Sequence, residues 1–181
     1  VDLSMAVTPE CGPADVVVAP RYVGLCGTDV QVYRRGHEAA ATILGHAGVG
    51  VVIEAGESVT SWSRGDTVVF NTVNPTTADD VLGLAHDGLL QEKIRIENVE
   101  LFPWLITRIP AQLMDPLGVL IVPVATAIYS ARLADLAMGS RHAVIIGDGP
   151  MALVMSIVLR LSGYQSVQLL HGSSTRGQWA V

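Results

Sequence analysis

Residues 142–152 read His-Ala-Val-Ile-Ile-Gly-Asp-Gly-Pro-Met-Ala, an apolar run that leads into a G-x-G-x-x-A turn. This pattern between a buried strand and a helix is typical of turns that hold the pyrophosphate of a dinucleotide. The first glycine permits a tight reversal, the second lets backbone approach the phosphates, and amides at the helix start face them. The motif predicts that the cofactor-binding residues include Gly147, Gly149, Pro150, Met151 and Ala152. The alternative is a turn that needs its glycines for geometry alone.

The residues around this turn predict a β-α-β unit. An apolar strand over 142–146 precedes a helix over 150–162, Gly163 ends that helix, and a second strand covers 166–170. This alternation is typical of a parallel, right-handed unit.

The end of the second strand bears on the choice between NAD and NADP. Selection of NAD usually uses an Asp or Glu there to bind the ribose 2′-hydroxyl. This chain has His171 at that position, and Ser173 and Arg176 follow. Hydroxyls and an arginine suit a 2′-phosphate, so the sequence favours NADP, unless the segment is only a solvated turn.

The first part of the chain reads as short strands separated by turns, which favours a barrel-like β domain. Composition changes near residues 116–122, where we expect the domain boundary, and a helix over 123–137 follows, with Gly139 near its end. The predicted strands are 15–19 (closed by Pro20), 43–55, 67–70, 89–96 and 105–109. The segment 22–29 is expected to be a loop or a bulged strand, 31–41 an irregular connection and 71–83 a loop.

Composition limits the classes of partner. The chain has 181 residues, 50% hydrophobic and 15% charged, and a net charge of −6, which gives no support for nucleic acid or an anionic membrane. Two cysteines do not make a disulfide framework. The longest apolar run, 117–129, contains Pro123 and is shorter than a membrane span. We therefore expect a cytoplasmic protein, and the abrupt end at Val181 suggests an incomplete chain.

Cys26 and His46 are candidate metal ligands. Thiolate and imidazole suit zinc, but a catalytic zinc site has three protein ligands and an open position. Two residues far apart in sequence are also compatible with a buried thiol and a histidine bonded to backbone.

The order of several motifs gives a specific resemblance. Residues 24–29 (Gly-Leu-Cys-Gly-Thr-Asp) resemble the metal-ligand loop of zinc-type medium-chain alcohol and polyol dehydrogenases. Residues 45–50 (Gly-His-Ala-Gly-Val-Gly) resemble that family's G-H-E-x-x-G signature, and 65–69 and 87–92 match later motifs. The resemblance covers nearly the whole chain. It implies an α/β protein in which a GroES-like β-barrel catalytic domain, 1–118, precedes the first half of a Rossmann domain, 119–181.

The resemblance implies roles for particular residues. Cys26 and His46 correspond to catalytic zinc ligands, and Thr28 to the proton relay that touches the substrate oxygen. Asp29 corresponds to the residue that orients the metal-bound imidazole. Thr126 falls where the family contacts the nicotinamide.

Two departures from the family pattern concern the metal. The glutamate that follows the histidine in the family is Ala47 here, and the third ligand position is Val122, which cannot bind zinc. Cys11 and Asp115 are the nearest substitutes by residue type, although neither is at the matching position. The cysteine-rich lobe of many members is absent, because 71–83 contains no cysteine.

The leading interpretation is an oxidoreductase that transfers a hydride between a small alcohol or carbonyl substrate and NAD(P), as a homo-oligomer when full length. Its zinc would act as a Lewis acid. One alternative is a zinc-independent reductase of the same superfamily. The other is a non-catalytic or truncated relative that binds nucleotide or a partner subunit. Half a Rossmann sheet leaves apolar faces uncovered, so we expect this chain alone to aggregate or to rely on a partner.

Overall fold

A computed structural model describes residues 7–35, 41, 43–74, 77–138 and 141–172. The chain divides into two compact units, Val1–Leu120 (unit 1) and Ile121–Val181 (unit 2).

Unit 1 is built on an antiparallel five-stranded sheet. Its strands are β1 (Val16–Gly24), β2 (Ala47–Ala55), β3 (Thr67–Phe70), β6 (Ile94–Ile96) and β7 (Ile106–Arg108). They lie in the order β6-β1-β2-β3-β7. Between β3 and β6 in sequence is a separate hairpin of β4 (Val73–Asn74) and β5 (Thr77–Val81). A short helix, α1 (Gly27–Arg35), follows the first strand, and 3-10 turns cover Ala111–Leu113 and Pro116–Leu120.

The first strand does not end at Pro20, so that prediction is wrong. The register pairs Pro20 with Gly50 and Tyr22 with Val49, which leaves Arg21 as an extra residue. Proline cannot donate to a strand ladder, and bulges are where sheets accept it. The bulge therefore lets β1 continue to Gly24 and brings the following loop to the end of the sheet.

Three other connections differ from the sequence-based predictions. Residues 27–35 are helical where a loop and an irregular connection were expected, and 71–83 contain the hairpin β4–β5. The strand predicted over 89–96 is confined to Ile94–Ile96, because 88–90 pair with loop backbone at 43–45. The strand over 67–70 is confirmed.

The core of unit 1 comes from the inward faces of these strands. Its buried side chains include five valines of β1, β2, β3 and the 98–101 turn, with Phe70 as the largest. The remaining members are Leu89, Ile94, Ile96 and Ile106. On β6 the buried Ile94 and Ile96 flank the exposed Arg95, which is the alternation of a half-buried strand.

Unit 2 contains the predicted β-α-β unit. The strands β8 (His142–Ile146) and β9 (Ser166–Leu170) are parallel, as predicted, and α3 (Pro150–Leu161) connects them. Gly163 has φ +85°, a conformation that favours glycine at a helix end. A longer helix, α2 (Ile121–Met138), precedes the unit, and Gly139 lies outside the described residues.

The β8–β9 sheet is covered on one side. Ala143, Ile145 and Val167 pack with buried residues of α2 and α3. On β8 the alternate residues point away, so that Ile146 is 86% exposed and Val144 is exposed too. Parallel sheets are normally covered on both faces, so this face is one that a second layer would bury.

The apolar segment made of the Pro116–Leu120 turn and most of α2 is longer than the sequence suggested. Pro116–Ala134 has 19 residues and a mean hydropathy of 1.7, which is enough by length and composition to cross a membrane, so the estimate based on 117–129 was too short. A core helix of a folded domain meets the same criterion. Here Ala127 and Ala131 are buried against α3.

Glu100 joins two distant turns of unit 1. Its carboxylate accepts bonds from the amides of Thr60 (2.7 Å) and Ser61 (2.9 Å) and from both hydroxyls. These bonds, first of all those from the Ser61 and Thr60 amides, lower the pKa of Glu100 from 4.5 to about 2. The charged form is therefore favoured in the folded chain.

Because the pKa of Glu100 is lowered in the folded chain, this carboxylate should contribute to stability in a pH-dependent way. The contribution of Glu100 should be complete above its unfolded pKa of 4.5 and be lost as pH falls through its folded pKa of about 2. Glu100→Gln resembles the neutral acid at every pH. The melting temperature of the wild type should therefore exceed that of Glu100→Gln at pH 6, and the difference should shrink steadily toward pH 2.

Glu57→Gln is the control. This exposed glutamate accepts no bond from a backbone amide in the part of the chain that the structure describes, so its difference should stay near zero throughout. A wild-type advantage over Glu100→Gln that does not depend on pH would contradict the assignment.

Candidate functional site

The buried carboxylate of Asp29 joins two loops of unit 1. Its Oδ2 accepts a hydrogen bond from the Cys26 amide (2.8 Å), and its Oδ1 accepts one from the Gly45 amide (3.1 Å). The same Oδ1 lies 3.3 Å from Nδ1 of His46. Asp29 is only 2% exposed, so it depends on these partners. The structure therefore links three of the residues that the sequence singled out: Cys26, Asp29 and His46.

The Cys26 loop has a local reason for its conformation. Cys26 occupies the cap position before α1, and Asp29 is the third helical residue, whose carboxylate reaches back to the cap amide. This is half of a capping box, and a carboxylate in the first turn also suits the helix dipole. The three-residue separation of Cys26 and Asp29 was visible in the sequence, and it could have indicated the helix that was missed.

The His46 loop is held from two further directions. The Thr72 hydroxyl donates to the backbone carbonyl of His46 (3.1 Å), and the Leu89 amide donates to that of Gly45 (2.8 Å). Gly88 packs so closely that an added Cβ would lie 2.1 Å from the Gly45 carbonyl oxygen. Sequence reasoning did not identify Thr72 or the need for glycine at 88, because both contacts are long-range.

The imidazole of His46 is buried and oriented by Asp29. Nδ1 faces the carboxylate at 3.3 Å, but the angle does not give an aligned hydrogen bond, and Nδ1 has no other partner among the described residues. The contact between the His46 ring and the Asp29 carboxylate is therefore electrostatic and not a hydrogen bond. It leaves Nε2 as the nitrogen that is free of the carboxylate.

The hydroxyl predicted to relay a proton, that of Thr28, and the hydroxyl predicted to contact the nicotinamide, that of Thr126, lie in different units. Thr28 is exposed, and its Oγ1 is 3.9 Å from Sγ of Cys26. Thr126 lies on α2, where its hydroxyl donates to the carbonyl of Val122 (2.9 Å). Thr28 thus lies beside Cys26 in unit 1, and Thr126 belongs to unit 2.

The donor set does not fit a zinc site with three protein ligands. Both oxygens of Asp29 bind backbone amides, and Ala47 has no ligand atom. Within the described ranges, no three His, Cys, Asp or Glu side chains form a group that could hold a metal ion. Among the residues that the structure describes, Cys26 and His46 therefore remain two donors without a third.

The two substitutes considered for the third ligand are engaged elsewhere. The Cys11 thiol contacts the carbonyl of Asp15 (3.4 Å), and burial raises its pKa, which disfavours the thiolate that binds metal. Asp115 accepts a bond from the Gly118 amide (3.0 Å) in a 3-10 turn.

The glycine turn of unit 2 leaves open space over the start of α3. A Cβ at Gly147 or Gly149 would meet nothing within 4 Å. Gly147 has φ +134°, which favours glycine, but Gly149 has the ordinary extended values φ −81° and ψ 174°. Gly149 caps α3 without a side-chain bond, and Pro150 is the first helical residue. The backbone therefore does not require glycine at 149, whereas close approach of a ligand would.

The second strand brings His171 to the same edge. Ile146 pairs with Leu170, and the Gly147 amide donates to the Leu170 carbonyl (2.8 Å), so both strands end together. His171 follows directly and is exposed. The carboxyl edge of parallel strands is where open α/β sheets bind ligands. Ser173 and Arg176 lie outside the described residues.

Comparison with known proteins agrees with the resemblance. Residues 12–106, more than half of the chain, match the alcohol dehydrogenase GroES-like domain family. The (R,R)-butanediol dehydrogenase of Bacillus subtilis is 28% identical, and the match covers 95% of this chain and 55% of that protein. Sorbitol dehydrogenase of Gallus gallus is 27% identical, with 95% and 52% covered.

Solved structures support the same fold. A protein from Sinorhizobium meliloti 1021 bound to NADP superposes with a TM-score of 0.77 at 25% identity, covering 95% of this chain and 53% of that one. The predicted fold class is thereby confirmed. This chain spans about half the length of the curated relatives that it matches.

The packing of Gly88 against Gly45 predicts a large effect of a single methyl group. Gly88→Ala would place Cβ 2.1 Å from the Gly45 oxygen and 2.6 Å from that of Leu44, and neither backbone atom can rotate away. We expect a loss of about 2 kcal/mol or more in the free energy of unfolding, measured by urea denaturation.

Gly27→Ala is the matched control, since a Cβ there meets nothing within 4 Å. Alanine is also the better helix former, so this variant should be neutral or slightly stabilised. Equal losses in the two variants would show that the close contact at Gly88 is not the cause.

Proposed function

The chain belongs to the alcohol dehydrogenase GroES-like domain family, and on that premise we propose that it is part of an NAD(P)-dependent oxidoreductase of the alcohol and polyol dehydrogenase type. Its reaction would be hydride transfer between a small alcohol or carbonyl substrate and the cofactor. The names of the relatives, a butanediol and a sorbitol dehydrogenase, support this substrate class.

The observation that carries the proposal is the space at Gly149. The extended backbone of Gly149 would accept any residue. Because the residue is glycine, the space over the start of α3 is left open. A pyrophosphate needs this combination of first-turn amides and close backbone approach. The residues proposed to hold it are Gly147, Gly149, Pro150, Met151 and Ala152.

Other residues of this chain are proposed to transfer the proton, to position the site and to contact the cofactor. NAD(P) supplies or accepts the hydride when bound. The Thr28 hydroxyl, exposed and near Cys26, is proposed to carry the proton of the substrate oxygen to or from solvent. Asp29 is proposed to be a positioning residue, because its carboxylate accepts the Cys26 amide and lies 3.3 Å from Nδ1 of His46. Thr126 is proposed to contact the nicotinamide.

The incomplete donor set favours a second candidate, a zinc-independent reductase of the same superfamily that acts on a carbonyl or an activated double bond. In the described part of the chain, two donors without a third are poor support for a metal. Elemental analysis separates the candidates: activity with less than about a tenth of a zinc per chain would exclude the zinc-dependent enzyme.

Nucleotide binding can be tested apart from stability with Gly149→Ser. Serine is a better helix cap than glycine, so the melting temperature should stay constant or rise slightly. The same side chain would occupy the space proposed for the pyrophosphate. We therefore expect the Kd for NADPH, measured by fluorescence titration, to increase about tenfold or more.

Leu161→Ala provides the control at the opposite end of the same helix, where the side chain is 84% exposed. It should change neither quantity appreciably. If the wild type binds no NADPH or NADH, the turn serves geometry alone and the proposal fails.

The proposed preference for NADP rests on the residues after β9. No carboxylate occurs from His171 to Arg176, and an arginine is available to pair with a 2′-phosphate. We expect the chain to bind NADPH more tightly than NADH. Arg176→Ala should weaken NADPH about tenfold while it leaves NADH within about twofold. Tighter binding of NADH by the wild type would reverse the assignment.

A further inference from the structure

We propose that in this chain the Asp29 carboxylate, rather than a shared metal ion, joins the loops that carry Cys26 and His46, so that the site assembles without metal. The proposal concerns unit 1 alone. It rests on hydrogen bonds there and not on cofactor binding, so it can fail or stand independently of the proposed function.

The first argument is the geometry of the carboxylate. A metal that bound Cys26 and His46 would tie the two loops through their side chains. Here the loops are already tied through their backbones, by the bonds from the Cys26 amide (2.8 Å) and the Gly45 amide (3.1 Å) to one carboxylate. Hydrogen bonds to a charged acceptor are stronger than neutral ones, and burial at 2% exposure shields them from water.

The second argument is that the histidine loop has metal-free contacts on its other sides. Thr72 binds the His46 carbonyl (3.1 Å), and the Leu89 amide binds the Gly45 carbonyl (2.8 Å). Gly88 fills the remaining space against Gly45. The loop is thus fixed by the Asp29 carboxylate, a hydroxyl, an amide and close packing, none of which needs an ion.

The third argument is the chemistry of the donors. A metal that organises two loops needs enough ligands to offset their loss of freedom, and structural zinc sites use four. Ala47 provides no ligand atom, and each carboxylate oxygen of Asp29 accepts a hydrogen bond from a backbone amide. Asp29 is therefore a positioning residue whose main partners are backbone groups.

The test compares two buried aspartates by amide hydrogen exchange. In Asp29→Asn one carboxylate oxygen becomes an NH₂ group, which cannot accept, so at least one amide loses its acceptor. Exchange at Cys26 or Gly45 should accelerate about tenfold or more. Asp15→Asn is the matched control, because Asp15 is buried and also accepts two amides, from Gly12 (3.2 Å) and Asn98 (3.0 Å). It should accelerate exchange at Gly12 or Asn98 and leave Gly45 unchanged.

The role of metal is tested on the wild-type chain with zinc alone. Neither a chelator nor equimolar zinc should shift the melting temperature by more than about 1 °C, or change exchange at Gly45. This arm decides the proposal even if Asp29→Asn does not fold. Unchanged exchange at both amides in Asp29→Asn would overturn it. So would about one bound zinc per chain together with a clear rise in melting temperature.

Discussion

The loops of unit 1 that carry Cys26 and His46 are held together by one buried carboxylate, that of Asp29. Asp29 begins a helix, accepts the amide of the residue that caps it, and reaches a second loop sixteen residues away in sequence. A carboxylate at 2% exposure is costly unless its lone pairs are used, and the fold uses them on backbone groups. The positions of Cys26 and His46 follow from this requirement. The site is thus a consequence of how the fold accommodates a charge in its interior.

Local patterns predicted unit 2 better than unit 1. Both strands of the β-α-β unit, and the parallel direction, agree with the structure because apolar runs and glycine stops act over a few residues. In unit 1 the errors occur where partners are distant. A proline predicts the end of a strand, because it cannot donate to the strand ladder. Here β1 continues past Pro20, because Arg21 forms a bulge in its pairing with β2. The shortening of the 89–96 strand likewise depends on the 43–45 loop.

The candidate site shows the same division. The resemblance to the dehydrogenase family pointed to Cys26, Asp29 and His46, which the structure brings together around one carboxylate. It did not identify Thr72 or Gly88, since a hydroxyl aimed at a carbonyl and a glycine packed on backbone have no local signature. The donor set also matters: Ala47 and Val122 depart from the family at two positions that bear on metal. Family membership therefore fixes the fold more firmly than it fixes the chemistry.

The pairing of β1 has a consequence for how the chain folds during synthesis. This interior strand has β2 on one side and β6 on the other, and its partner Ile96 lies far along unit 1 from Val16. The β6 edge of β1 therefore stays unpaired until most of unit 1 has been synthesised, and contacts between such distant residues form slowly. In unit 2, β8 and β9 pair across a single helix, so this pair can form soon after its own synthesis. Unit 1 therefore exposes an unpaired apolar strand for longer and carries the greater risk of mispairing.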